Sequence, residues 1–245
     1  MEKEPDQEHD RHTLTVRKLF GGAMECSLPA SFIDVSDLRQ VPDHQEVFAD
    51  RINDVSVIIE VLEFEANLPD DGADGKSARH FFDDLVSAND ASSSACDFSE
   101  DLTESIVPNL ASFPKAALAG RQVVTKFRGR GPPEAVRVYL VNVRLRNVST
   151  DLLVTVNVPY PDESSAAKSP GNATCFVKEE SESRAEGDSS QIKATGESSE
   201  AMSRPERASE SEPKVDVGDE PGRLAISTLR TLLKSFAILD WSLFG

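Results

Sequence analysis

The stretch FIDVSDLRQVPDHQEVFAD, residues 32–50, carries Asp34, Asp37, Asp43 and Glu46 within thirteen positions. Carboxylates at this density can hold a hard cation through their oxygens, move protons, or present a charged face to another protein. They can also do no more than cap turns, because an Asp side chain accepts backbone N–H groups that a short helix leaves orphaned. The spacing matches no metal loop, and Arg39 in the middle offsets part of the charge. Asp34 and Asp37 each suit a cap on the short turn VSDLR, and Pro42-Asp43 opens a standard turn. Read by themselves, these residues leave local capping and a partner-binding acidic face both open.

Other candidate chemistry is weaker. PDDGADGKS (69–77) lacks the alternating ligand ladder and closing Glu of a calcium loop, so a hairpin tip is expected there. RHFFDD sets His80 beside Asp83 and Asp84, one edge of a possible metal site. No second His or Cys motif answers it, and an exposed strand end is the expected reading. The chain has no GxxxxGK[ST] phosphate loop, and Gly21-Gly22 in LFGGA reads as a tight turn leading into a strand. KFRGRGPP (126–133) reads as a solvated basic loop. No Ser/His/Asp or Cys/His set is visible, so an enzyme with a covalent mechanism has no support. No cofactor or metal is expected.

The elements that must position these residues fall into two flanks around one compositional break. From Asp162 to Glu220 there are fifteen acids, seven bases and twelve serines, with Phe176 as the only aromatic. Such a stretch cannot bury enough apolar surface to offset chain entropy, so disorder is expected across about 162–220, as well as over an acidic tail at 1–18. VSVIIEVLEFE (55–65), VRVYLVNVRLR (136–146) and DLLVTVNVP (151–159) read as strands, the last two joined as an antiparallel hairpin through NVST. GRLAISTLRTLLKSF places Leu224, Ala225, Leu229, Leu232, Leu233 and Phe236 on one helical face. AILDWSLF then reads as a terminal strand or an irregular tail. Strands in the middle and helices at the margins predict an α+β domain around a central, mostly antiparallel sheet. The apolar helix lies beyond the acidic stretch. One domain spanning 19–245, interrupted by a long acidic loop, therefore fits better than two domains.

The formal net charge of −17 argues against a nucleic-acid role, since phosphates are held by Lys and Arg. It also opposes binding to anionic membranes and favours basic partners. Cys26, Cys96 and Cys175 are scattered without metal or redox spacing and read as reduced thiols of a cytosolic or nuclear protein. The acidic start, MEKEPDQEHDRH, suits neither a signal nor a transit peptide, and no apolar run reaches membrane-helix length. The sequons at Asn147 and Asn172 are therefore expected to go unglycosylated.

The segments LFGGA (19–23), FIDVSDLRQVPDHQEVF (32–48), SVIIEVLEFE (56–65) and ARHFFDDL (78–85) occur in that order. With GRQVVTKF (120–127), VNVRLRNVSTDLLVTVNVP (141–159) and the closing LLKSF…DWSLFG, the series resembles the Ran guanine-nucleotide release factor, or Mog, family. That fold is shared with the photosystem protein PsbP. The resemblance implies α/β/α-type layers, a mostly antiparallel sheet with helices on both sides. It also implies a non-enzymatic, monomeric regulator of nucleus and cytoplasm that binds the small GTPase Ran, promotes nucleotide release and supports nuclear transport. The family's Ran-binding acids carry over onto Asp34, Asp37, Asp43 and Glu46. The long acidic insertion and the extended N-terminal tail depart from the family pattern. A PsbP-type role is disfavoured for want of a transit peptide. A competing reading from another class is an acidic chaperone or adaptor for basic proteins acting through the insertion. A third is an enzyme built on His80 with nearby carboxylates.

Overall fold

Alternating apolar residues dictate strands, and strands dominate the protein. A computed structural model describes residues 13–69, 74–125, 132–160 and 220–245. Five strands come early: β1 (Leu14–Leu19), β2 (Met24–Pro29), β3 (Phe32–Asp34), β4 (Gln45–Asp50) and β5 (Ser56–Glu63). After helix α1 (Lys76–Ala88) follow β6 (Ser93–Asp101), β7 (Lys115–Thr125), β8 (Pro133–Leu145) and β9 (Thr150–Tyr160). Helix α2 (Glu220–Ser235) and β10 (Ala237–Ile238) close the chain. A seven-stranded sheet runs β3-β4-β5-β9-β8-β7-β6 and a three-stranded sheet runs β1-β2-β10, with antiparallel pairing at every ladder among the described residues. No helix among them is long and apolar enough to cross a membrane.

The large sheet buries both faces, and its period-2 pattern sorts the residues. Ala116, Leu118, Val138, Leu140 and Leu153 meet Ala78, Phe81 and Phe82 of α1. Their neighbours Ala117, Ala119, Val141, Val154 and Val156 face the other way, into the core shared with Leu229, Leu232, Leu233 and Phe236 of α2 and with Met24 and Leu28 of β2. The helices thus lie on opposite faces. Gly120 permits the close approach of α1, because a Cβ there would sit 2.7 Å from Cζ of Phe82 and 2.9 Å from the Ala95 carbonyl oxygen. The hairpin of β8 and β9 and the amphipathic helix after the acidic stretch match expectation. The buried Arg144 side chain pairs with Asp151 at 3.2 Å and donates to the carbonyls of Leu68 and Pro69, tying the segment after β5 to the sheet.

Three expectations need correction. The tail at 1–18 overlaps β1, whose alternation is inverted: Leu14 (55% exposed) and Val16 (58%) face outward, while Arg17 turns inward and donates to the Phe32 carbonyl at 2.6 Å. RHFFDD is no strand end but the body of α1, where Ala78, Phe81, Phe82 and Leu85 recur at helical spacing. Of the stretch PDDGADGKS, read as a hairpin tip, the described end, residues 74–77, is instead a turn that enters this helix. Its Gly75 precedes α1 at φ 73°, and a Cβ there would come 2.5 Å from the Glu100 nitrogen. Helices therefore do not keep to the margins. The acidic insertion except for Glu220, residues 1–12 of the tail, positions 70–73, most of KFRGRGPP, Cys175 and Asn172 lie outside the described residues.

Candidate functional site

The four acids sit on the connection between β3 and β4, at one edge of the large sheet. Asp34 ends β3 and caps the 3-10 turn Val35–Asp37, accepting from the Ser36 N–H at 2.8 Å. The capping expectation thus holds for Asp34, while no such bond is made by Asp37 at the end of the same turn. Pro42 accepts from the Gln45 N–H at 2.9 Å, closing the turn that lifts Asp43 into solvent. Asp37 and Asp43 are exposed and meet no hydrogen-bonding or ionic partner among the described residues, whereas Asp34 and Glu46 are partly buried.

Glu46 faces another part of the chain. Its Oε1 accepts from the N–H of Phe20, at the start of the turn Phe20–Gly22. Burial raises its carboxyl above the ordinary glutamate value. The Phe20 N–H acts in the opposite direction, and the nearby Asp34 charge adds to the rise. Phe20, Gly21 and Gly22 all have positive φ (50°, 67° and 94°), a run that glycine tolerates and phenylalanine does not favour.

The C-terminal segment completes this surface. β10 pairs with β2, and the Leu239 and Asp240 N–H groups donate to the Ala23 carbonyl at 2.8 and 3.0 Å. Asp240 caps the final 3-10 turn Trp241–Phe244, accepting from the Ser242 N–H, and hydrogen bonding from the Ser242 side chain and then its backbone holds the carboxyl below the ordinary range. Trp241 stacks on Phe113 at 5.9 Å between ring centroids. A hollow of about 400 Å³ lies among Phe20, Val41, Asp43, Glu46 and Leu243. A second, of about 320 Å³, shares Phe20, Gly21 and Leu243 with it. Leu38, 71% exposed, projects from the end of the Val35–Asp37 turn. The arrangement offers unpaired carboxylates beside apolar walls, chemistry suited to a basic and apolar protein surface.

Asp43 and Glu46 thus line one hollow together with Ser36 of the capped turn. The sequence reading missed the walls, Phe20, Val41 and Leu243. LFGGA and DWSLFG were visible as segments, but nothing in sequence places residues 20 and 243 side by side. The alternative centre disperses. Asp83 is held by Arg79 at 3.1 Å and Asp84 by His80 at 3.3 Å, all on exposed turns of α1. No group of three or more His, Cys, Asp or Glu side chains placed to hold a metal occurs among the described residues. Cys26 is buried, which pushes its thiol up to about 12, and Cys96 is partly buried.

Comparison with known proteins gives concordant matches. A family model described as Ran-interacting Mog1 protein matches residues 17–159. The probable ran guanine nucleotide release factor of Dictyostelium discoideum is 38% identical over 149 residues, covering 59% of this chain and 73% of its own. The Ran guanine nucleotide release factor of Homo sapiens is 36% identical over 152 residues, 60% of this chain and 77% of its own. The nuclear import protein mog1 of Schizosaccharomyces pombe is 36% identical over 160 residues, 63% and 82% of the two chains. The crystal structure of the Saccharomyces cerevisiae Ran-binding protein Mog1p superposes with a TM-score of 0.58 at 20% identity, covering 95% of this chain and 99% of that one. That last likeness speaks for the fold.

Proposed function

This chain belongs to the Mog1 family of Ran-interacting proteins, and from that premise we propose that it binds the small GTPase Ran and promotes release of its guanine nucleotide. Asp34, Asp37, Asp43 and Glu46 make up the acidic part of the binding surface. The observation that carries the reading is the convergence of three distant segments, Phe20–Ala23, Ser36–Glu46 and Asp240–Leu243, on one pair of adjoining hollows edged by carboxylates. The protein acts as a regulator and supplies no catalytic group of its own. It works in nucleocytoplasmic transport, in both nucleus and cytoplasm.

The physical requirement is differential affinity. A release factor accelerates nucleotide loss by binding the emptied or loosened GTPase more tightly than the loaded one, and linkage makes the effect reciprocal. Asp37 and Asp43, exposed and unpaired, steer a basic surface into register. Apolar contact with Leu38, Val41 and Leu243 then supplies the area that carries affinity. The names of the relatives support the partner, and the net charge of −17 supports the sign of the encounter.

The test is release of a fluorescent guanine nucleotide from Ran, with the native protein and with Asp34, Asp37, Asp43 and Glu46 all changed to Ala. Circular dichroism first establishes that the variant folds. The native protein speeds release and the variant does not. Equal behaviour of the two would remove the acidic face from the proposal.

A further inference from the structure

We infer that Trp241 is the seat for a basic side chain of the partner GTPase: an Arg or Lys lies over its indole ring and carries the contact past the hollows onto the C-terminal turn. The inference rests on the reading of this surface as the Ran site and adds to it a contact outside the acidic connection.

The chain has one tryptophan, and the C-terminal turn holds it half open. Its ring stacks on Phe113 with centroids 5.9 Å apart and meets Phe244 at 5.8 Å, yet 37% of the residue stays exposed. The platform beneath it is fixed. The Phe113 N–H donates to the Leu110 carbonyl at 3.1 Å, and Asn109 Nδ2 donates to the Phe236 carbonyl at 3.0 Å, just before β10. A ring immobilised in the free protein loses little entropy when a partner covers it. Leu239 and Leu243 flank it, so three of the six large apolar side chains exposed among the described residues fall within five positions. Exposed apolar side chains gathered in this way mark contact surfaces.

The chemistry of the patch selects a cation. A tryptophan face attracts an ammonium or guanidinium more strongly than a tyrosine or phenylalanine face does. Within this protein the arginines lie over the weaker rings: Arg17 over Phe48, Arg137 over Tyr160, and Arg144 and Arg146 over Phe64. No such cation covers Trp241 among the described residues. Asp240 stands next to it and is the only residue with a charged side chain between positions 237 and 245. Hydrogen bonding from the Ser242 side chain and backbone favours its ionised form. Asp240 and Leu243 line one hollow, and Leu243 also lines the other, beside Asp43 and Glu46. Trp241 is therefore continuous with that surface and shares its negative sign. A base arriving there meets a carboxylate and an open ring together.

A single tryptophan makes the test site-specific. Progressively fluorinated tryptophan, incorporated throughout the full chain, keeps the shape of the side chain and drains negative charge from the ring face in steps. Thermal unfolding first establishes that each form folds as the native protein does. Affinity for unlabelled Ran then falls with each added fluorine, by about fivefold across the series, and the loss appears as faster dissociation. The singly fluorinated protein also gives one fluorine NMR resonance, which shifts when Ran is added. If Ran binds with equal affinity across the series, the inference is overturned and the Ran reading stands. A fluorine resonance that bound Ran leaves unmoved has the same meaning. If the unsubstituted protein does not bind Ran, the Ran reading and this inference fall together.

Discussion

Two acidic regions of this protein use the same residue types to opposite effect. On α1, Asp83 and Asp84 stand one turn beyond Arg79 and His80 and are paired with them within the helix. On the β3–β4 connection, Asp37 and Asp43 project from turns with no partner among the described residues, Asp37 next to the exposed Leu38 and Asp43 beside the apolar walls made by Phe20, Val41 and Leu243. A carboxylate answered by its own helix is a solvated part of the scaffold. One left unanswered next to exposed apolar surface is available to another molecule. The cores beneath differ as well. The α1 side is sealed by Phe81 and Phe82 against the sheet, while the other region ends in short turns closed by local hydrogen bonds, Leu38 and Arg39 N–H to the Val35 carbonyl and Gln45 N–H to that of Pro42.

The comparison can be broken first where the effect is largest. Phe82→Ala removes a ring packed directly over Gly120 and should lower stability by about 3–5 kcal/mol in denaturant unfolding. At a temperature where the variant stays folded, its nucleotide-release activity should match the native protein. A specific loss of release by folded Phe82→Ala would show that the two regions are coupled.

Charge neutralisation sharpens the contrast. Asp37→Asn with Asp43→Asn should slow association with Ran by about tenfold at low salt, with little change in stability. Asp83→Asn with Asp84→Asn should alter stability by no more than about 0.5 kcal/mol and leave association unchanged. Equal kinetic effects from the two pairs would mean that net charge, not position, drives the encounter.

The smallest effect concerns Glu46 and pH. Burial raises its carboxyl in the folded state, so ionisation costs more there than in the unfolded chain. The favourable contribution of this group is present while both states are protonated, and it is lost as pH rises through the elevated folded value. Glu46→Gln, which never ionises, should therefore gain stability relative to the native protein at neutral pH. That gain should shrink as pH falls below the ordinary glutamate range. Parallel stability curves for the two proteins would argue that the Phe20 hydrogen bond cancels the cost of burial.

Much of the fold was legible because its signals are local. The strands around residues 56–63, 133–145 and 150–160 are rich in β-branched residues, and the helix at 220–235 repeats its apolar residues at helical spacing. The elements misread are those where local pattern and burial disagree. β1 turns Leu14 and Val16 outward and Arg17 inward, because the Phe32 carbonyl and the Phe48 ring receive the guanidinium. Within α1, the run of charged residues masked the stripe formed by Ala78, Phe81, Phe82 and Leu85.

The candidate site divides along the same line. The sequence by itself determined the acidic cluster, the capping role of Asp34, the turn at Pro42-Asp43 and the family, all carried by neighbouring residues or ordered motifs. Only the tertiary structure decided that Glu46 faces Phe20, and that the C-terminal turn supplies Leu243 to a hollow begun at Phe20. Those contacts join positions 26 and more than 200 residues apart. Burial and hydrogen bonding select such pairs only once the two sheets and α2 have closed on a common core, and no local spacing encodes the partner in advance.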